Sequence, residues 1–384
     1  MQKYNKIFLE VLNMKKLGFG CMRLPLINKE DNSSINYEQT CEMFDYFLDN
    51  GFTYFDTAYM YHEYQSEKFV KKCLVERHDR NSFTLTSKMP LWECKTEADM
   101  ERIFNEQLEK TGVTYFDYYM CHNLTKETID KCREFKTFDF LRKLKKEGKI
   151  RSMGFSSHDT PEFIDMILTE NPDIDFVQLQ INYWDWNHPR IASRENYEVC
   201  LKHNKQVIVM EPVRGGALAN VPEEAKEVFN KYDNGMSIAS YAIRFCAELE
   251  NVMVILSGMS NLEQVKDNVS YMKEPKPLTN EEHMVIQKVV GILNQKELIS
   301  CTKCNYCLDG CPQNIAISKY FELHNQVQLT NGTANDELKE EYEKTKVSFG
   351  APKDCIKCKL CESVCPQHLT ITDYLGKINW MFEK

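Results

Sequence analysis

The sequence predicts an α/β fold: a closed (β/α)8 barrel followed by a smaller, α-rich domain built on cysteines. Three observations carry this reading. Strand-like and helix-like segments alternate from about residue 15 to residue 272. Eight strand–helix repeats fill that length, and about 250 residues is the usual size of such a barrel. Cysteine usage then changes near residue 300. The chain is accordingly divided into a barrel at 1–272, a linker helix at 273–298 and the cysteine domain at 299–384.

In chain order the strand candidates are LGFGCM (17–22), FTYFD (52–56), FTLTSK (83–88), YFDYYMC (115–121), IRSMGFS (150–156), FVQLQIN (176–182), VIVME (207–211) and VMVIL (252–256). Amphipathic runs lie between them, among them YEQTCEMFDYFLDNG, EADMERIFNEQLEKTG, FDFLRKLKKEG, PEFIDMILTEN and NLEQVKDNVSYM. Gly51, Gly112 and Gly148 stand where three of these helices should stop. An open doubly wound sheet is the runner-up, lowered because no G-x-G-x-x-G opens a helix after the first strand. EPKPLTNEE (274–282) reads as a linker and EEHMVIQKVVGILNQ (281–295) as the joining helix. Residues 123–135 read as a loop and short helix above the barrel mouth. The tail ITDYLGKINWMFEK should pack back on one of the two domains. Residues 1–13 read as a strand capping the barrel bottom, or as an extension before a second start at Met14.

Composition bounds the function. In 384 residues, 42% are hydrophobic and 27% charged, so a sizeable core is expected and wholesale disorder is not. The net charge of −9 argues against nucleic acid as a partner held through phosphates. No apolar run reaches the length of about 18 residues that a membrane span needs. IFLEVLN carries Glu10 and lacks a small-residue cleavage site, so no signal peptide is read and a cytoplasmic location is expected. The 16 cysteines then point to metal or redox chemistry rather than disulfides.

Those cysteines form two populations. Cys21, Cys41, Cys73, Cys94, Cys121, Cys132, Cys200 and Cys246 are scattered singly in apolar runs and read as small buried hydrophobes. The other eight repeat one pattern, C-x2-C-x2-C-x3-C-P. Cys301, Cys304, Cys307 and Cys311 precede Pro312, and Cys355, Cys358, Cys361 and Cys365 precede Pro366. The x2 spacings let three thiolates converge on one cluster from a tight loop, and the fourth cysteine faces the other cluster. Two 4Fe–4S clusters are expected, one on Cys301, Cys304, Cys307 and Cys365, the other on Cys355, Cys358, Cys361 and Cys311. A zinc site needs only four ligands and no third cysteine at x2. This segment resembles a bacterial two-cluster ferredoxin, apart from the long insert 313–354. The C-terminal part is therefore expected to be a ferredoxin-like iron–sulfur domain.

In a (β/α)8 barrel, chemistry sits where strands end. Asp56 closes the second strand, with Tyr61 five residues on; Lys88 closes the third; His122 follows the fourth. Lys88 near Tyr61 would favour the phenolate, Asp56 would hold the lysine charged, and His122 would orient a carbonyl oxygen. Taken singly, Asp56 and Lys88 could be a rim ion pair, and Tyr61 or His122 an ordinary surface or core residue. His62 and His158 read as exposed loop histidines, and Trp184 and Trp186 as either a substrate wall or loop packing.

Here the sequence resembles a known family, the aldo/keto reductases. DTAYMY (56–61), TSK (86–88) and CHN (121–123) are similar to its catalytic motifs. GFGCMRLP (18–25), GFSSH (154–158), VQLQINY (177–183), MEPVRGGALA (210–219) and SGMSNLEQVKDN (257–268) fall where that family contacts its nicotinamide cofactor. With the tail, the chain looks like the members that carry a C-terminal ferredoxin domain. The resemblance implies Tyr61 as general acid, Lys88 and Asp56 as its partners, and His122 as the carbonyl-orienting group. It also implies cofactor contacts at Gly20, Cys21, Met22, Ser156, Ser157, Gln178, Met210, Pro212, Arg214, Ser257, Gly258, Gln264 and Asn268. The cofactor would be NADP or NAD. Where members specific for the 2′-phosphate place a lysine and an arginine, this chain has Gly258 and Gln264. The implied activity is reduction of a small carbonyl, or oxidation of an alcohol, by hydride transfer.

Two alternatives belong to other classes. In one, the chain is an iron–sulfur electron-transfer protein whose barrel docks a partner or holds a flavin. In the other, hydride chemistry and clusters are coupled. Hydride carries two electrons and clusters take one at a time, so coupling needs a converter such as a flavin, or a substrate that tolerates a radical intermediate. A ferredoxin or flavodoxin is the expected electron partner of the clusters.

Overall fold

The computed structural model describes residues 15–29, 31–232, 235–308, 310–329 and 333–383. The expected strand within residues 1–13 lies outside them. The chain forms two compact units. The first is Met1–Pro212 with Ala239–Leu278, and the second is Val213–Ile238 with Thr279–Lys384.

The first unit is a closed, all-parallel barrel with strand order β1 to β8. The strands are Leu17–Gly20, Tyr54–Asp56, Thr84–Met89, Phe116–Cys121, Ile150–Ser157, Phe176–Gln180, Gln206–Met210 and Val252–Ser257. All eight expected strands are present. Their ends differ in detail: Cys21–Arg23 turns as a 3-10 helix rather than extending β1, β3 runs one residue past Lys88, and Asn182 lies beyond β6 rather than on it.

Register decides which side chains enter the barrel. Successive side chains on a strand alternate between faces. Tyr54 pairs with Thr84 and Asp56 with Thr86; Lys88 pairs with Met120, and Met120 with Gly154. Tyr54, Met120, Phe176, Ile208, Met253, Val254 and Leu256 fill the interior as one apolar cluster. Gly18 makes this possible on β1, because a Cβ there would meet Val254 Cγ1 at 2.6 Å. The opposite parity packs on the helices. Phe19 and Phe55 sit against Phe44 and Phe47 of the helix Tyr37–Asp49, with Phe19 and Phe44 centroids 4.9 Å apart. Fully burying each such ring contributes about 1.5–3 kcal/mol. Asn36 caps this helix by accepting from Gln39 N at 3.1 Å. Gly51, Gly112 and Gly148 all adopt positive φ where three helices end.

The second unit is mainly helical, with helices Glu223–Tyr232, Asn280–Gln295, Ile317–Leu329, Asp336–Ser348 and Ile371–Phe382. Thr279 and Glu282 form a capping box at the start of the long joining helix. Tyr320, Phe321, Leu338, Tyr342, Leu375 and Ile378 share its core, so the tail packs back within this unit. Residues 213–238, which follow β7 in the chain, also fold here. Gly215 has φ +62, and a Cβ on it would meet the Thr302 carbonyl oxygen at 2.7 Å. Only glycine suits that position on both counts.

Candidate functional site

The same strand parity that fills the barrel with apolar side chains aims Asp56, Lys88 and His122 at its C-terminal end. Tyr54 and Asp56, Thr86 and Lys88, and Tyr118, Met120 and His122 are spaced by two, so each set shares a face. The chain turns after β2 and brings Tyr61 back over that end. Lys88 Nζ donates to Asp56 Oδ1 at 2.5 Å, to the Thr57 carbonyl at 2.8 Å and to Tyr61 Oη at 3.3 Å. Lys88 is fully buried and Asp56 and Tyr61 nearly so. The Tyr61 and His122 rings lie 6.1 Å apart, edge to face. The four side chains expected to act together therefore meet in one place.

Electrostatics sets the state of this group. Burial, the neighbouring Lys88 ammonium and His158 hold His122 well below the usual imidazole range, so its ring is neutral. Its Nδ1 is buried without a hydrogen-bond partner among the described residues. Burial pushes the Asp56 carboxyl up, against the pull of Lys88, which favours its ionised form. A polar network supports Lys88 from behind. Gln107 Nε2 donates to the Lys88 carbonyl at 3.1 Å, to Glu67 Oε1 at 2.8 Å and to Ser87 Oγ at 2.8 Å. Tyr119 Oη donates to Gln107 Oε1 at 2.5 Å.

The thirteen residues expected at the cofactor divide by direction. Ser156, Gln178 and Met210 have inward parity at the ends of β5, β6 and β7. Gln178 Nε2 lies 3.6 Å from Met210 Sδ, and its Oε1 is buried without a partner among the described residues. Gly20 ends β1, and Cys21 and Met22 lie in the 3-10 turn that follows it. Ser157 and Ser257 have the other parity. Ser157 Oγ donates to the Leu124 carbonyl at 2.8 Å, and Ser257 Oγ accepts from Asn268 Nδ2 at 2.7 Å. These two hydroxyls and Asn268 tie elements together and do not line the barrel interior. Gln264 Oε1 accepts from Ser260 N at 2.7 Å, shaping the loop beside Gly258. Pro212 closes β7's exit in the first unit, while Arg214 is buried within the second unit.

Two neighbours were missed by sequence reasoning. Trp92, on the turn after β3, stands 5.0 Å from His122, ring to ring. Arg23 lays its aliphatic stem over Gly258, with Cδ 3.0 Å from where a Cβ would be. The signal for Arg23 was present, a cation inside GFGCMRLP, but its partner is over two hundred residues away. His62 is a correction. It is buried, not an exposed loop residue: Nε2 accepts from Leu24 N at 3.1 Å and Nδ1 lies 2.8 Å from the Asn32 carbonyl. Trp186 packs its ring against Tyr197 and Phe245, which is loop packing.

In the second unit, two cavities are lined by cysteines. One is lined by Cys301, Cys304, Cys307 and Cys365, and the other by Cys311, Cys355, Cys358 and Cys361. Each cavity thus takes three thiols from one motif and the fourth from the other. Ile317 lines both. Among the described residues, no three His, Cys, Asp or Glu side chains close around a single-ion site. In each case the four thiols line a shared cavity. The eight cysteines of the barrel are all buried.

Residues 16–290 match the aldo/keto reductase family, and residues 300–371 match a 4Fe-4S dicluster domain. An uncharacterized oxidoreductase of Bacillus subtilis is 23% identical over 72% of this chain and 92% of its own. An aldo-keto reductase from Bacillus halodurans, in its holo form, aligns with a TM-score of 0.58 at 25% identity, over 71% of this chain and 91% of that one. An aldo-keto reductase from Klebsiella pneumoniae, in complex with NADPH, shares the fold at a TM-score of 0.58 and 20% identity, over 72% and 91% of the two chains. No described helix is long and apolar enough to cross a membrane.

Proposed function

Because the chain belongs to the aldo/keto reductase family and is an oxidoreductase, we propose that its barrel reduces a small carbonyl compound, or oxidises the matching alcohol, with Tyr61 as the proton donor. One observation carries this reading: Lys88 Nζ stands between Asp56 Oδ1 and Tyr61 Oη in a buried cluster. A bound nicotinamide supplies or accepts the hydride. The chain's own residues handle the oxygen. Neutral His122 can donate one N–H to the carbonyl oxygen and fix it beside Tyr61. Tyr61 then gives its proton to that oxygen as charge develops. The Lys88 ammonium stabilises the phenolate left behind, and Asp56 keeps that ammonium in place. Trp92 beside His122 forms one wall of the substrate pocket.

Ser156, Gln178 and Met210 are proposed to face the nicotinamide. The unpartnered Gln178 Oε1 is an acceptor suited to its carboxamide N–H. Residues 20–22, Pro212 and the loop of Gly258 and Gln264 are proposed to follow the rest of the cofactor, with Ser157, Ser257 and Asn268 holding that frame. Arg23 is proposed as a cation for a phosphate of the cofactor, NADP or NAD. The C-terminal cysteines are proposed to hold two 4Fe–4S clusters with the crossed ligand sets above, which exchange single electrons with a ferredoxin or flavodoxin. The boundaries 1–272, 273–298 and 299–384 are proposed as the division of labour along the chain, although residues 213–238 fold with the second unit, in a cytoplasmic protein.

The test is anaerobic turnover. Wild type should oxidise a reduced nicotinamide in the presence of small aldehydes or ketones. Tyr61→Phe should lower kcat by about 10²–10⁴-fold, the usual contribution of a positioned acid. Turnover unchanged in that variant would remove the assignment.

A further inference from the structure

The two cysteine motifs are alike in sequence but not in their exposure. In the first, Thr302 and Cys307 are buried and Cys301 and Cys304 are half-buried. In the second, every residue from 356 to 360 is exposed, and Cys358 is the one exposed thiol among the eight of the motifs. Any cluster held there reaches the surface through this loop.

The loop's composition is unusual for a solvated turn. Ile356 is 61% exposed and Leu360 53%. Neither contributes to the core of its own unit, and exposed apolar side chains grouped around a functional atom mark an interaction surface. Lys353, Lys357 and Lys359 surround them, all exposed. Of the nearby carboxylates, Asp354 Oδ2 accepts from the backbone Ala351 N at 2.8 Å, and Glu362 Oε1 accepts from Thr372 N and Oγ1 at 2.9 and 2.7 Å, while its second oxygen faces Lys359 at 4.0 Å. Lys357 also opens onto a groove of about 680 Å³ that it shares with Lys377, Trp380 and Met381. Glu297 and Asp373 line this groove too, so the positive centre is the loop itself. The lysines stand out all the more on a chain of net charge −9.

We propose that the loop 356–360, with its lysine rim and the apolar pair Ile356 and Leu360, is the docking surface for a small acidic one-electron carrier protein. This deepens the reading that the second motif holds an electron-carrying cluster, and rests on it. Charge complementarity selects the partner: lysines on an otherwise acidic molecule orient an acidic carrier and repel a basic one from the rim. The apolar pair gives a small contact able to exclude water over Cys358. A weak, fast interface of this kind suits electron transfer. One electron passes between carrier and cluster, and no bond forms or breaks.

The experiment uses the anaerobic holoprotein and an acidic bacterial two-cluster ferredoxin as probe, with Kd measured by calorimetry. Binding by wild type should weaken steadily with added salt. The triple substitution Lys353→Glu, Lys357→Glu, Lys359→Glu should weaken it at least tenfold at low salt, with iron and sulfide content at the wild-type level. Salt-independent binding by wild type would overturn the proposal, whether or not the variant folds. So would unchanged affinity in a variant that keeps its iron. Dithionite bleaching of the visible absorbance is the separate control. Its absence would overturn the electron-carrying reading and the inference with it; bleaching with unaltered binding would overturn the inference alone.

Discussion

Lys88 is fully buried, and its charge is matched by Asp56 at 2.5 Å. Removing one partner of such a pair leaves an uncompensated buried charge, which costs about 3–5 kcal/mol. Lys88→Met should therefore destabilise the barrel by that order in denaturant unfolding, and adding Asp56→Asn should restore part of it. A double variant no more stable than the single one would show that the pair is not coupled. His122 gives a pH signature. Its folded ring is held well below the usual imidazole range, so below pH about 6.5 an unfolded imidazole binds a proton that the folded one refuses. Stability should fall as pH drops through about 6.5, by about 1.4 kcal/mol per pH unit for each such histidine. His62 and His324 are shifted the same way. His122→Asn should thus flatten the slope by one proton, read from unfolding curves between pH 7.5 and 5.5. At this scale the sequence was informative where motifs fixed both residue type and strand parity, as at Asp56, Lys88 and His122. It was silent where only distance in space matters. Ser157 and Ser257 were read by position, yet each lies one residue off the inward parity. Arg23 meets Gly258 only once the barrel closes.

Among elements, the polar network behind β3 joins the helix Ser66–Val70, the helix Ala98–Thr111, β3 and β4. Glu67 is its buried centre, and burial pushes its carboxyl up to about 7. A carboxyl raised on folding stabilises the folded state while protonated and loses that contribution as pH rises through about 7. Glu67→Gln removes the penalty, so its stability relative to wild type should improve between pH 5 and pH 8. An advantage that shrinks over that range would contradict the assignment. Gln107→Leu should cost about 2–3 kcal/mol, because the Tyr119 hydroxyl and the Lys88 carbonyl lose a buried partner. The strands were legible because apolar runs between helical periods leave few other choices. This network was not, since Glu67 and Gln107 sit in helical runs where a polar residue is normally read as facing solvent.

At the level of the whole molecule, residues 213–238 leave the barrel sequence and fold with the C-terminal helices. Lys296 Nζ pairs with Glu224 at 2.9 Å, and Tyr232 Oη with Thr279 Oγ1 at 3.1 Å. A chain truncated after residue 278 should therefore melt earlier and aggregate, since Phe229 and Ala225 lose their cover. Equal melting of the truncated and full chains would show that those residues need no C-terminal partner. This sharing was invisible in sequence, where the alternation of segments runs unbroken to residue 272. The cysteine spacing, by contrast, pointed to the same grouping of thiols that lines the two cavities. Cys365→Ser should thus lower the iron bound by the first motif rather than the second, seen as loss of one of two EPR signals.

The eight thiols sealed in the barrel carry a practical corollary. In the native chain they are hidden from alkylating reagents, while any opening of the barrel uncovers them one region at a time. Mass-resolved labelling with iodoacetamide would turn each cysteine into a local gauge of breathing, with no engineered probe. The same thiols make a loosened chain vulnerable: once uncovered in an oxidising medium they would cross-link at random and block its return to the native state.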